Sequence, residues 1–102
     1  MLITEEMQQV LNNIIKSYGE SGVEVLTEDI IEEEIWITMK DNFKLRAMLY
    51  KPIGFSKLPL ILQRTCYPQN EPLYRAHAIE LAKRGYAFLY EYCRGTGGSE
   101  GI

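Results

Sequence analysis

Two short segments hold most of the side chains and glycines that chemistry could use. Residues 64–70 read RTCYPQN, a polar cluster set immediately after a hydrophobic run, and residues 94–101 read RGTGGSEG, four glycines in eight residues. The second is not a phosphate-gripping Walker loop, because it lacks the Gly-Lys-Ser ending whose lysine and hydroxyl would hold phosphate and magnesium. Cys66 offers a thiol, but no histidine lies near it in sequence and the single histidine, His77, sits in the middle of an expected helix. A buried small residue is therefore a plainer role for Cys66 than a nucleophile. Two cysteines, Cys66 and Cys93, without metal-ligand spacing give neither a disulfide scaffold nor a zinc site, and both are expected to be reduced. No cofactor-binding motif and no metal site is expected.

The elements that must position these segments follow from hydrophobic periodicity. Met7, Val10, Leu11, Ile14, Ile15 and Tyr18 recur at helical spacing, which predicts an amphipathic helix over residues 5–18, with Thr4 as its cap, Glu5 and Glu6 at the positive end of the dipole, and Gly19 as its stop. The Gly-containing acidic stretch 19–34 is expected to be a linker, so that residues 1–34 form a helical arm and residues 35–102 a second unit. From Ile35 the period becomes alternating. Ile35, Ile37 and Met39 fall on one face, Asp41 and Asn42 supply a turn, and Leu45, Ala47 and Leu49 form a second alternating run ended by Pro52, which together predict a hairpin. Residues 58–63 are almost continuously apolar, as expected of a strand covered on both faces. Asn70 and Pro72 open a helix through Arg84, with Ala76, Ile79 and Ala82 on its packing side and Gly85 as its stop. Residues 86–92 then complete a strand, helix, strand unit, which requires parallel strands. In a mixed α/β sheet of this kind ligands sit beyond the carboxyl ends of the strands, where residues 64–70 and 94–101 lie.

Composition bounds the function. A chain of 102 residues, 46% hydrophobic and 25% charged, can bury one modest core. No run approaches the roughly 20 apolar residues that span a bilayer, and the start MLITEEMQQV lacks a secretory pattern, so a cytoplasmic location and no membrane partner are expected. Residues 1–39 carry nine acids against the single Lys16, whereas residues 40–102 carry ten Lys and Arg against five acids. A solvated acidic face explains this more simply than a partner site. The basic residues are dispersed over several elements, which argues against nucleic acid.

Three ordered segments carry a resemblance: MKDNFKLRAMLYKP at 39–52, LPLILQRTCY at 58–67 and LAKRGYAFLYEYCRGTGGSEG at 81–101. They are similar to the opening of the peptidase S15 and CocE/NonD (X-Pro dipeptidyl-peptidase and cocaine-esterase-like) family, which shows Met-x-Asp-Gly and Leu-Tyr-x-Pro, then Arg-Thr-Pro-Tyr, then Arg-Gly-x-Gly-x-Ser-Glu-Gly. The resemblance implies an incomplete α/β-hydrolase fold: a hairpin, then a parallel strand-helix-strand unit, preceded by the amphipathic helix. It implies a serine hydrolase with a Ser-Asp-His triad, acting on a small-molecule ester, an amide or a peptide. It also implies that Tyr67, at the tyrosine of the Arg-Thr-Pro-Tyr motif, lends its hydroxyl to the oxyanion hole. Arg64 then braces the loop, and residues 94–101 form a structural turn that lets backbone pass close to the site. Three positions depart from the pattern: Cys66 replaces Pro, Tyr92 stands where Asp is common, and Asn42 replaces Gly, a mild change because Asn accepts positive φ.

No nucleophile elbow is expected: GGSEG at residues 97–101 has the spelling Gly-x-Ser-x-Gly but not the strained strand-to-helix turn that an elbow requires. Ser99 lacks the strand before it and the helix after it, and His77 precedes it, which is the wrong chain order for a triad. These residues are therefore expected to be inactive alone, and to stop before the nucleophile. In the implied fold the strand at 86–92 lies between those at 44–51 and 58–64, which leaves the far edge of the latter free for association, as is the amphipathic helix. Other α/β-hydrolases, such as a prolyl-oligopeptidase-like or acetyl-esterase-like enzyme, and a non-catalytic assembly module are the alternatives.

Overall fold

The computed structural model describes residues 4–101. Met1 to Ile3 of the expected helical arm and Ile102 of the second unit lie outside them. Thr4 caps helix α1 (Glu5–Glu20) with extended backbone, its Oγ1 accepting from the Met7 amide at 3.0 Å. Gly19 does not stop the helix, which runs one residue further. The Ser21 amide and hydroxyl, both bonded to the Tyr18 carbonyl, close the last turn instead.

The sheet contains β1 (Ile30–Thr38), β2 (Lys44–Pro52), β3 (Leu60–Thr65) and β4 (Ala87–Tyr92), and helix α2 (Glu71–Lys83) joins β3 to β4. Its order is β1-β2-β4-β3, antiparallel between β1 and β2 and between β2 and β4, parallel between β3 and β4. The last strand in sequence therefore inserts between two earlier ones. Asn42, at φ 70°, makes the β1–β2 turn in the left-handed region that asparagine tolerates.

β1 opens at Ile30, paired with Pro52, although the sequence suggests linker through residue 34. Glu32, Glu33 and Glu34 mask the strand pattern, and the sheet accommodates two of them by pairing. Arg75 of α2 meets Glu32 at 3.3 Å and Arg46 of β2 meets Glu34 at 3.2 Å. β3 departs from expectation in another way. It is an edge strand and not one covered on both faces: Leu60 is 58% and Leu62 50% exposed.

One face of the sheet carries Met48 and Tyr50 of β2 with Phe88, Tyr90 and Tyr92 of β4, and packs against Tyr74, Ala78 and Ala82 of α2. Of the expected Ala76, Ile79 and Ala82, the last is in the core and Ile79 packs partly buried against it, while Tyr74 and Ala78 join them and Ala76 is only half-buried. The alanines at 78 and 82, both fully buried, let helix and sheet approach closely. No helix among the described residues is long and apolar enough to cross a membrane.

The segment between α1 and β1 is tied to the end of α2. The Leu26 amide donates to the Lys83 carbonyl at 2.8 Å, and Arg84 Nε donates to the Val23 carbonyl at 3.2 Å. Helix α1 itself docks on α2 through Tyr18. Its hydroxyl lies 2.8 Å from His77 Nδ1, and the Arg84 guanidinium sits 5.4 Å from the centre of its ring. Burial lowers the His77 pKa below 6.5, so the neutral ring, whose Nδ1 can accept from the phenol, is favoured in the folded state. The unfolded chain then binds more protons than the folded one as the pH falls below about 6.5. Thermal unfolding should shift to lower temperature as the pH is lowered from 7.5 to 5.5, with His77→Gln flattening that dependence. A slope unchanged by the substitution would show that His77 is not responsible.

Candidate active site

Because β3 and β4 are parallel and β2 runs against β4, one end of the sheet gathers the carboxyl ends of β3 and β4, the amino end of β2 and the turn before it. Residues 64–70 and 94–101 emerge there side by side. The chain leaves β3 through Cys66 and Tyr67 into a single 3-10 turn, Pro68–Asn70, and then α2.

Tyr67 is held by its backbone and free in its ring. Its amide donates to Thr65 Oγ1 at 3.1 Å and its carbonyl accepts from the Tyr74 hydroxyl at 3.2 Å and from the Asn70 amide at 3.1 Å. Thr65 Oγ1 and the Tyr74 hydroxyl are 2.6 Å apart, which closes a small buried network under the bend. The Tyr67 side chain, 57% exposed, has no hydrogen-bond partner among the described residues. A fixed backbone beneath a free phenol is a suitable mount for a donor that must meet something not yet bound.

Arg64, beside this bend, points away from α2 and pairs with Glu91 of β4 at 3.2 Å, so it braces the strand ends. Cys66 is exposed, which corrects its expected burial. Cys93 is exposed as well.

Residues 94–101 fold back onto β2. Ser99 Oγ donates to the Tyr92 carbonyl at 2.8 Å and accepts from the Arg46 amide at 2.7 Å. Glu100 continues the contact: its amide donates to the Lys44 carbonyl and its Oε1 accepts from the Lys44 amide, both at 2.8 Å. Gly97 passes flat against the Tyr92 ring, where a Cβ would stand 2.3 Å from Cγ, so only glycine fits. These contacts make the segment a clasp that finishes the sheet where β4 ends. Ser99 is 8% exposed with its hydroxyl engaged on both sides, and His77 is committed to Tyr18, so the two do not meet.

Arg46 and Glu71 were not legible as site residues. Arg46 Nη1 reaches the Gly97 carbonyl at 3.1 Å and Glu71 Oε2 at 3.5 Å, while the guanidinium lies 5.5 Å from the centre of the Tyr92 ring. Glu71 Oε2 also accepts from the Tyr90 hydroxyl at 3.0 Å. Burial drives the Tyr90 and Tyr92 hydroxyls far above their ordinary pKa, so both stay protonated. A lone Arg in an alternating strand and a Glu at a helix start give no sequence signal of their own; only the sheet order joins them. Behind this cluster a cavity of about 440 Å³ lies between α1, α2 and β2, lined by Leu11, Ile15, Tyr50 and Ile79 among others. Tyr67 is not on its wall.

Residues 41–102 match the sequence model of the X-Pro dipeptidyl-peptidase (S15 family). Among solved structures, an aminopeptidase from a marine sediment Thaumarchaeota archaeon superposes with a TM-score of 0.59 at 26% identity, over 76% of this chain and 15% of that one. An alpha-amino acid ester hydrolase superposes at 0.54 and 24% identity, over 76% of this chain and 14% of that one. A CocE/NonD family hydrolase from Staphylococcus aureus gives 0.54 at 14% identity, over 79% and 21%. The last two likenesses are of fold alone. No curated protein matches. The chain thus spans about one seventh of the first two structures, and its four strands are those of part of an α/β-hydrolase sheet.

Replacing Ser99 by Ala strips a part-buried amide and a buried carbonyl of their shared partner. Leaving such groups unpaired costs about 1–3 kcal/mol. Urea unfolding of Ser99→Ala should show a stability loss in that range, with amide exchange quickened at Arg46; a variant as stable as the parent would remove the clasp from this account.

Proposed function

The chain belongs to the X-Pro dipeptidyl-peptidase (S15) family of hydrolases, and on that basis we propose that it supplies the scaffold and one oxyanion donor of a serine hydrolase. The substrate is an ester, or an amide such as a peptide bond. The donor is the Tyr67 hydroxyl. The observation that carries this reading is the mount of Tyr67: three hydrogen bonds fix its backbone at the carboxyl end of β3, while the phenol stands free at the end of the sheet where α/β proteins bind ligands.

The chemistry asked of Tyr67 is narrow. When a nucleophile adds to a carbonyl, negative charge develops on oxygen, and a neutral, pre-positioned hydroxyl can donate to it without reorganising. Tyr67 contributes nothing else, and no proton leaves it. Nucleophile, acid and base come from elsewhere in the hydrolase, since the serine of the Gly-x-Ser-x-Gly string at residues 97–101, Ser99, is buried with its hydroxyl engaged by Tyr92 and Arg46, and His77 is bonded to Tyr18. A strand bearing the nucleophile would find an edge on β3, whose second side is unpaired among the described residues. By themselves these residues bind no acyl group covalently and should not turn over an ester.

In a hydrolase carrying both Tyr67 and its nucleophile, Tyr67→Phe should lower kcat on a small aryl ester by roughly 100-fold or more, as loss of an oxyanion donor does. KM and thermal stability should be little changed, because the hydroxyl has no hydrogen-bond partner among the described residues. Unaltered kcat would remove Tyr67 from the oxyanion hole.

A further inference from the structure

Sheet register brings together two residues that lie far apart in sequence. The parallel ladder of β3 and β4 pairs Arg64 with Glu91 and Thr65 with Tyr92. Past that last pair the Cys93 amide still donates to the Thr65 carbonyl at 2.9 Å, so the strands remain side by side as they end. Cys66 and Cys93 are the residues that follow that last pair, one on each strand. Side chains alternate along a strand, and that alternation carried one residue past each strand end would set both cysteines on the face of Arg64 and Glu91, whose side chains meet at 3.2 Å. Neighbouring strands lie about 4.8 Å apart, and disulfides join residues whose Cα atoms are about 4.4–6.8 Å apart. Both thiols are free and exposed to solvent.

We propose that Cys66 and Cys93 form a reversible intramolecular disulfide, which makes the carboxyl ends of β3 and β4 a redox-modified site. The oxidant is a low-molecular-weight disulfide. One cysteine thiolate attacks a sulfur of that disulfide, forming a mixed disulfide and releasing one small thiolate. The second cysteine thiolate attacks the protein-bound sulfur of the mixed disulfide, closing the Cys66–Cys93 bond and releasing the other small thiolate. The two protein thiols lose two electrons and two protons, and the small disulfide takes up both as it becomes two thiols. Attack in the second step is intramolecular and needs little movement, which favours closure over a lasting adduct. The bond would join the bend that carries Tyr67 to the residue before Arg94. Its effect on catalysis rests on the oxyanion reading of Tyr67; its formation does not.

The purified protein is incubated with oxidised glutathione and its intact mass measured without reductant. The expected product is a monomer lighter by two hydrogens, carrying no glutathione and restored by dithiothreitol. Trypsin should release residues 65–75 and 85–94 as one linked peptide, and Cys93→Ser should instead hold a lasting glutathione on Cys66. Lasting glutathione on both cysteines of the parent protein, a disulfide-linked dimer, or no change in mass would each overturn the proposal. The readout is a mass, so it stands or falls apart from any result on ester hydrolysis.

Discussion

The arrangement depends on the insertion of β4 between β2 and β3. That strand is antiparallel to one neighbour and parallel to the other, and this alone brings two distant loops and the amino end of β2 to a single edge of the sheet. Tyr90 and Tyr92 hold it there. Tyr90 stacks near Tyr50, with ring centres 6.0 Å apart, and lies 5.7 Å from Tyr74 and 5.8 Å from Tyr92. Four aromatic rings from three elements therefore share one core beneath the candidate site. Burying rings of this size contributes about 1.5–3 kcal/mol each, and the hydroxyls of Tyr50 and Tyr92, buried without hydrogen-bond partners among the described residues, give some of it back.

The charged groups above that core serve geometry more than stability. Arg46 is shared among Glu34, Glu71 and the Gly97 carbonyl. Its carboxylate partners remain partly solvated, and pairs of that kind contribute about 0–1 kcal/mol. What the guanidinium fixes is direction, because its planar fork points at three elements at once. The clasp of residues 94–101, Arg46 and the start of α2 are thereby held in one frame with the bend that carries Tyr67.

Much of this frame is legible in the sequence. Thr4 as cap, Asn42 in the turn, the strand-helix-strand unit and the place of β4 in the sheet follow from periodicity, cap and turn chemistry and the family motifs. The failures have physical causes. The glutamates of β1 hid the strand because their partners, Arg46 and Arg75, lie on other elements. The apolar run of β3 reads as a doubly covered strand, yet an edge strand can have the same composition, and only sheet order separates the two. Ala82 and Ile79 of the expected face of α2 do pack on the core, and Tyr74 joins them because its long aromatic side chain reaches Tyr90 of the sheet. The contact of the Cys93 amide with the Thr65 carbonyl is a matter of register between strands joined by a whole helix, to which sequence spacing is blind.

The central claim is that the rigid bend after β3 aims the Tyr67 hydroxyl at the oxygen on which charge develops. The most direct measurement is a crystal structure of the hydrolase that carries Tyr67, with its nucleophile phosphonylated by an aryl phosphonate, whose phosphonyl oxygen stands in for the oxyanion. The account predicts the Tyr67 hydroxyl about 2.7–3.1 Å from that oxygen, with Tyr67 still bonded through its backbone to Thr65 and Tyr74. A phenol turned to solvent, with the oxygen held by other donors, would contradict it.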